Sequence, residues 1–112
     1  MQNQIFVERI FELGDGTLSV RFEHPQRAAT GEFQCVWSIA WPHEPAGGYV
    51  CGEDGLQALM LAMKHVGHLL YSSADYQEGR LTLWTQTDLD LPPLWGAGPL
   101  YQIPAARGSG AA

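Results

Sequence analysis

Residues 52–71 read Gly52-Glu53-Asp54-Gly55-Leu56-Gln57-Ala58-Leu59-Met60-Leu61-Ala62-Met63-Lys64-His65-Val66-Gly67-His68-Leu69-Leu70-Tyr71, and this stretch decides the fold class. Asp54 is a good N-cap, and Gln57 lies three residues on. Each side chain of that pair can satisfy a backbone N–H that a helix start leaves orphaned. Leu56, Leu59, Met60, Met63, Val66, Leu69 and Leu70 recur at steps of three and four, which predicts one apolar stripe on an amphipathic helix. A helix from Gly55 to Ser72 would be about 27 Å long at the usual rise per residue, enough to cross a four- or five-stranded sheet.

Upstream of the helix the period changes to two. Gln4 to Leu13 is rich in Ile, Phe and Val, and Gly14-Asp15-Gly16 follows as a tight turn. Leu18, Val20 and Phe22 then alternate with Thr17, Ser19, Arg21 and Glu23, the mark of a half-buried antiparallel strand and of a hairpin with its predecessor. Pro25 ends that strand, and Gln26 to Glu32 reads as a polar loop. Phe33 to Trp41 carries Phe33, Cys35, Trp37, Ile39 and Trp41 on one face and a rather apolar second face, which predicts a central strand covered on both sides. Pro42 to Gly48 reads as a turn-rich connection and Tyr49 to Cys51 as a short strand. Downstream, Ser72 to Gly79 is polar and Leu81 to Thr85 is a short alternating strand. The prolines at 92, 93, 99 and 104 make residues 88–104 an irregular arm pinned by Trp95 and Tyr101.

The expectation is therefore an α+β fold in β-β-β-β-α-β order: an antiparallel sheet of four to five strands with the helix on one face. Residues 1–106 form one domain, and 107–112 form a flexible tail. Because one helix covers one face, the other is left for a second copy or a partner, met by Phe33, Trp37 and Trp41 or by their opposite-face neighbours.

Composition bounds function by exclusion. Six basic against twelve acidic residues give a net charge of −6, which disfavours nucleic acid, since phosphate neutralisation needs Lys and Arg. The same imbalance favours a basic partner. The N-terminal apolar run Ile5-Phe6-Val7 is cut at once by Glu8 and Arg9, so no signal peptide is read and a cytoplasmic location is expected. The longest apolar stretch, Ala58 to Met63, is far short of a membrane span. In that compartment Cys35 and Cys51 are expected to be reduced, buried thiols rather than a disulfide.

The remaining candidates for chemistry weigh against catalysis. His24, His43, His65 and His68 supply no third ligand at a diagnostic spacing, so His65 and His68 read as an exposed helix face and no metal or cofactor is expected. Neither cysteine sits in a glycine-rich turn or at a helix start beside a base. Gly67 inside the helix costs on the order of 1 kcal/mol against alanine, and close approach to a bulky sheet residue such as a tryptophan would account for it. The most suggestive surface feature gathers Asp75, Tyr76, Glu78, Trp84, Asp88, Asp90 and Trp95 in the C-terminal third: aromatic anchors ringed by one sign of charge, as at a steered protein-binding hot spot. Large aromatics also close small cores, the bland alternative for Trp84 and Trp95.

The run from Gly52 to Met63, continuing to Leu69-Leu70-Tyr71 and Gly79-Arg80-Leu81, resembles a family of small uncharacterised bacterial proteins in which a D-x-x-Q-A-L-x-L-A helix follows several strands. The likeness implies the strand and helix order and a bacterial origin, and it transfers no catalytic residue. In size, charge and layout the chain also looks like the immunity proteins that bacteria encode beside interbacterial toxins. The expected function is a non-enzymatic binding protein that neutralises a basic toxin by direct contact. The alternatives are a small dimeric regulatory or accessory module, or a small-ligand binder.

Overall fold

The computed structural model describes residues 5–91, in an α+β fold. Strands β1 (Ile5–Leu13), β2 (Gly16–Glu23), β3 (Gln26–Arg27), β4 (Phe33–Ile39) and β5 (Ala46–Gly52) precede helix α1 (Gly55–Tyr71). A one-turn helix α2 (Ala74–Gln77) and a short strand β6 (Leu81–Thr82) follow. All pairings are antiparallel: β6 pairs with β1, β1 with β2, β2 with β4, and β4 with both β3 and β5. The expected order holds, with two short elements added. β3 lies inside the loop read as polar, and α2 lies inside the polar stretch after the main helix.

The β1–β2 hairpin closes through a two-residue loop, Leu13 facing Gly16, with Gly14 at φ 59 as the left-handed residue such a tight turn requires. Val20 then faces Ile39 and Phe22 faces Trp37, so the alternating apolar positions of β2 and β4 share one face. Phe11, Leu18, Val20, Phe22, Cys35, Trp37 and Ile39 from the sheet meet Ala58, Ala62, Val66 and Leu70 from α1 in the core.

That helix line differs from the expected stripe. The buried positions step by four through Ala58, Ala62, Val66 and Leu70, while Leu56 is 67% exposed and Leu59, Met63 and Leu69 are half-buried. Small residues win the central line because the helix sits close on the sheet. A Cβ on Gly52 would come within 2.5 Å of the Ala58 nitrogen, so only glycine lets the end of β5 pass under the first helical turn. The predicted cap is present: Asp54 Oδ1 accepts from the Gln57 N–H at 2.8 Å, and the Gln57 side chain accepts from the Glu53 N–H.

β5 is longer than expected, running through the glycines read as a connection and pairing with β4 from Ile39↔Ala46 to Phe33↔Gly52. Crowding against β4 explains them: a Cβ on Gly48 would lie 3.2 Å from the six-membered ring of Trp37, and one on Gly47 would lie 3.2 Å from the Trp37 carbonyl oxygen. Trp37 also meets His65 edge-on at 5.2 Å. Trp37 is thus a core residue on the helix side, and Phe33 is half-buried beneath the Arg27 guanidinium, 4.8 Å from its ring. The uncovered face instead carries their neighbours Gln34, Val36 and Ser38, with Tyr49 and Cys51 from β5. Gly67 faces Leu91, 3.6 Å from the position of a Cβ, rather than a tryptophan.

The two cysteines are free, and they differ. Cys35 is buried and Cys51 exposed, which corrects the expectation of two buried thiols. Cys51 pairs with Gln34 and Cys35 with Val50, so the two side chains leave opposite faces of the sheet and cannot bridge. No described helix is long and apolar enough to cross a membrane.

Candidate functional site

The segment expected to be a strand over Leu81–Thr85 leaves the sheet after Thr82. Leu83 and Gln86 exchange both backbone hydrogen bonds at 2.9 Å, closing a two-residue turn on Trp84 and Thr85. Both central residues have positive φ, 53° and 66°, the requirement of a type I′ turn that Asn-Gly normally meets. For L-residues this conformation costs on the order of 1–2 kcal/mol each, and a β-branched residue such as Thr85 is a true outlier there. Strain of this kind persists only where surrounding structure imposes it.

Glu12 imposes it from β1. Its carboxylate accepts from the Trp84 N–H at 3.0 Å, the Thr85 N–H at 2.9 Å and the Thr82 hydroxyl at 2.8 Å. These bonds, the one from Thr85 first, hold the Glu12 carboxyl below the usual carboxylate range. The turn lifts the Trp84 ring into solvent at 63% exposure. Beneath it the Arg9 guanidinium stands 5.6 Å from the ring centroid. Arg9 also donates to the carbonyls of Leu89 and Asp90 at 3.1 and 2.8 Å and lies 3.8 Å from the Asp90 carboxylate. Leu89 is buried and its N–H donates to the Tyr71 hydroxyl at 2.9 Å. Asp88 accepts from the Asp90 N–H at 2.8 Å, and both residues are exposed.

The expected cluster therefore divides. Trp84 and Asp90 meet at Arg9, and Asp88 joins them through the Asp90 N–H; all three are exposed. Asp75 and Glu78 both pair with Arg80, Asp75 at 2.7 Å, and Tyr76 is half-buried against Tyr71 with its hydroxyl donating to the Thr87 carbonyl at 3.0 Å. Those three brace α2 against the segment below the turn and offer little free charge. Trp95 lies outside the described residues, as does the rest of the arm beyond Leu91. Sequence reasoning missed Arg9 and Glu12, which stand seventy or more positions from the residues they hold. A charged side chain at one end of an alternating strand carries no local sign of such a contact.

Among the described residues no group of three or more His, Cys, Asp or Glu side chains could hold a metal ion. A family model for a domain of unknown function, DUF6968, matches residues 7–93. No curated protein and no solved structure matches.

Proposed function

The chain belongs to the DUF6968 family, and from that premise we propose that it is a non-enzymatic binding module that recognises a basic protein partner through the Trp84 turn. The observation that carries this reading is a strained, non-glycine turn, held by Glu12, whose product is an exposed tryptophan. A rigid indole loses little conformational freedom on binding, and tryptophan is among the commonest anchors of interface hot spots. Asp90 stands at the Arg9 beneath it, with Asp88 accepting from the Asp90 N–H, on a chain of net charge −6, so a basic partner is steered and like-charged ones are rejected.

In its sharper form the module is a bacterial immunity protein acting in the cytoplasm, and its partner is a basic interbacterial toxin whose active surface it covers. The test is affinity capture from an extract of the source organism with wild type, Trp84→Ala, and Asp88→Asn combined with Asp90→Asn. A single stoichiometric basic protein, lost with Trp84→Ala and weakened both by the asparagine pair and by raised salt, is the expected result. Relief of that partner's toxicity on co-expression would identify it as the toxin. Capture that is indifferent to Trp84 would overturn the reading.

A further inference from the structure

Among the described strands, β1 has neighbours on both sides only at its end. β2 pairs along it from Ile5 to Leu13, whereas β6 reaches only Glu12 and Leu13. Antiparallel alternation defines what is left open. Leu13 faces Gly16 across the loop, so the amides of Leu13, Phe11, Arg9 and Val7 turn towards β2, and those of Glu8 and Ile10 turn away. Among the described residues no strand pairs with that outer edge. Ile5, Phe6, Val7 and Ile10 along it are 46%, 44%, 39% and 47% exposed. Such an edge is a template for an added strand.

The Trp84 turn bounds the slot. Continued in register, β6 would set Leu83 beside Phe11, but the chain turns away at Leu83–Gln86 under the hold of Glu12. The indole therefore stands at the end of the open edge.

A second copy is a poor occupant. Two-fold antiparallel pairing through the outward groups of Glu8 and Ile10 has few registers. Centred on Glu8 it opposes two glutamates, and centred on Arg9 it opposes two arginines. Centred on Ile10 it sets Glu8 against Glu12, whose edge β6 already holds. Centred on Val7 it must cross the irregularity between Ile5 and Val7. Like charges directly opposite destabilise a strand pair, so this edge rejects its own copy.

We propose that the basic partner docks by strand addition: an extended segment of alternating basic and apolar residues pairs with Glu8–Ile10 and abuts Trp84. This rests on the protein-binding reading above and names its mode. On the face that β1 shares between Val7 and Arg9, the apolar members meet Val7 and the Trp84 indole. On the opposite face the basic members lie beside Glu8, whose carboxylate also holds Arg21, on a chain whose net charge of −6 repels acidic strands.

The test titrates the isotope-labelled full chain with a short alternating Lys–Val peptide while amide exchange is followed by NMR. Protection of the Glu8 and Ile10 amides should rise by about tenfold or more at saturation. Ile10→Pro, which removes one outward N–H at an edge where proline is tolerated, and Trp84→Ala should each weaken binding by about tenfold or more. Binding that leaves Glu8 and Ile10 unprotected and ignores Ile10→Pro overturns strand addition, and sensitivity to Trp84→Ala would then still support the protein-binding reading. Loss of both dependences sinks that reading as well. Failure of the peptide to bind at about 1 mM overturns strand addition. So does protection of both amides in the free chain, through a second copy if it grows with protein concentration and through residues 92–112 if it does not.

Discussion

Cys35 and Cys51 behave differently because of the face of the sheet each occupies. Burial, assisted by the nearby Glu23 charge, pushes the Cys35 thiol up to about 11, while Cys51 lies open on the uncovered face of β5. Thiolate, rather than thiol, is the reactive form. A disulfide reagent at mildly alkaline pH should therefore label Cys51 in the folded protein and reach Cys35 only after denaturation, as mass spectrometry of the digested chain would reveal. Rapid labelling of both in the native state would contradict the strand register. The alternation of β4 was legible in the sequence, so the inward side of Cys35 was too. That of Cys51 was not, because the length of β5 was hidden by its glycines.

At the scale of elements, a glycine within α1 and one beneath its start have opposite consequences. Among the described residues Gly67 meets only Leu91, at an ordinary contact distance of 3.6 Å from a would-be Cβ. Gly67→Ala should stabilise by about 1 kcal/mol through helix propensity alone. A Cβ on Gly52 would strike the Ala58 backbone at 2.5 Å, and Gly52→Ala should cost about 1–3 kcal/mol or more as the helix start is forced off the sheet. Urea denaturation of the two variants checks both signs, and equal effects would refute the packing described for α1. The helix, its Asp54–Gln57 cap and the β1–β2 hairpin were legible because their causes lie within a few residues. The rotation of the buried line onto Ala58, Ala62, Val66 and Leu70 was not, because it depends on how near the sheet lies. The full length of β5 and the turn at Trp84 were missed for a related reason: a glycine, Gly48, that leaves room for the Trp37 ring, and a left-handed Trp-Thr pair held by Glu12, contradict local propensity and exist only against distant partners.

Across the whole molecule, the acidic surface is coupled to stability through carboxylates that accept several hydrogen bonds. Glu8 is held below its ordinary value of 4.5 by Ser19 and then Arg21. Glu12 is held below 4.5 by Thr85, Thr82 and Trp84. Glu32 is held there chiefly by Thr30. In each case the unfolded state binds the proton more readily, so the stabilisation is complete above pH 4.5 and is lost as pH falls through the lower folded values. The denaturation midpoint should hold between about pH 7 and about pH 5 and drop towards about pH 3. The NMR signal of the Trp84 backbone amide should shift in the acid range in wild type, and much less across that range in Glu12→Gln. A midpoint that rises on acidification would refute the hydrogen bonds assigned to these groups. The α+β class, the antiparallel hairpin, the long capped helix and the acidic character could be read along the chain, since periodicity, caps, tight turns and charge are local or additive properties. The closed sheet settles that Glu12 and Arg9 hold the Trp84 turn, that Trp84 rather than Trp37 stands in solvent, and that among the described residues β1 keeps an unpaired outer edge. Those outcomes rest on pairings between residues far apart in the chain, and the geometry of such contacts exists only once the sheet has closed.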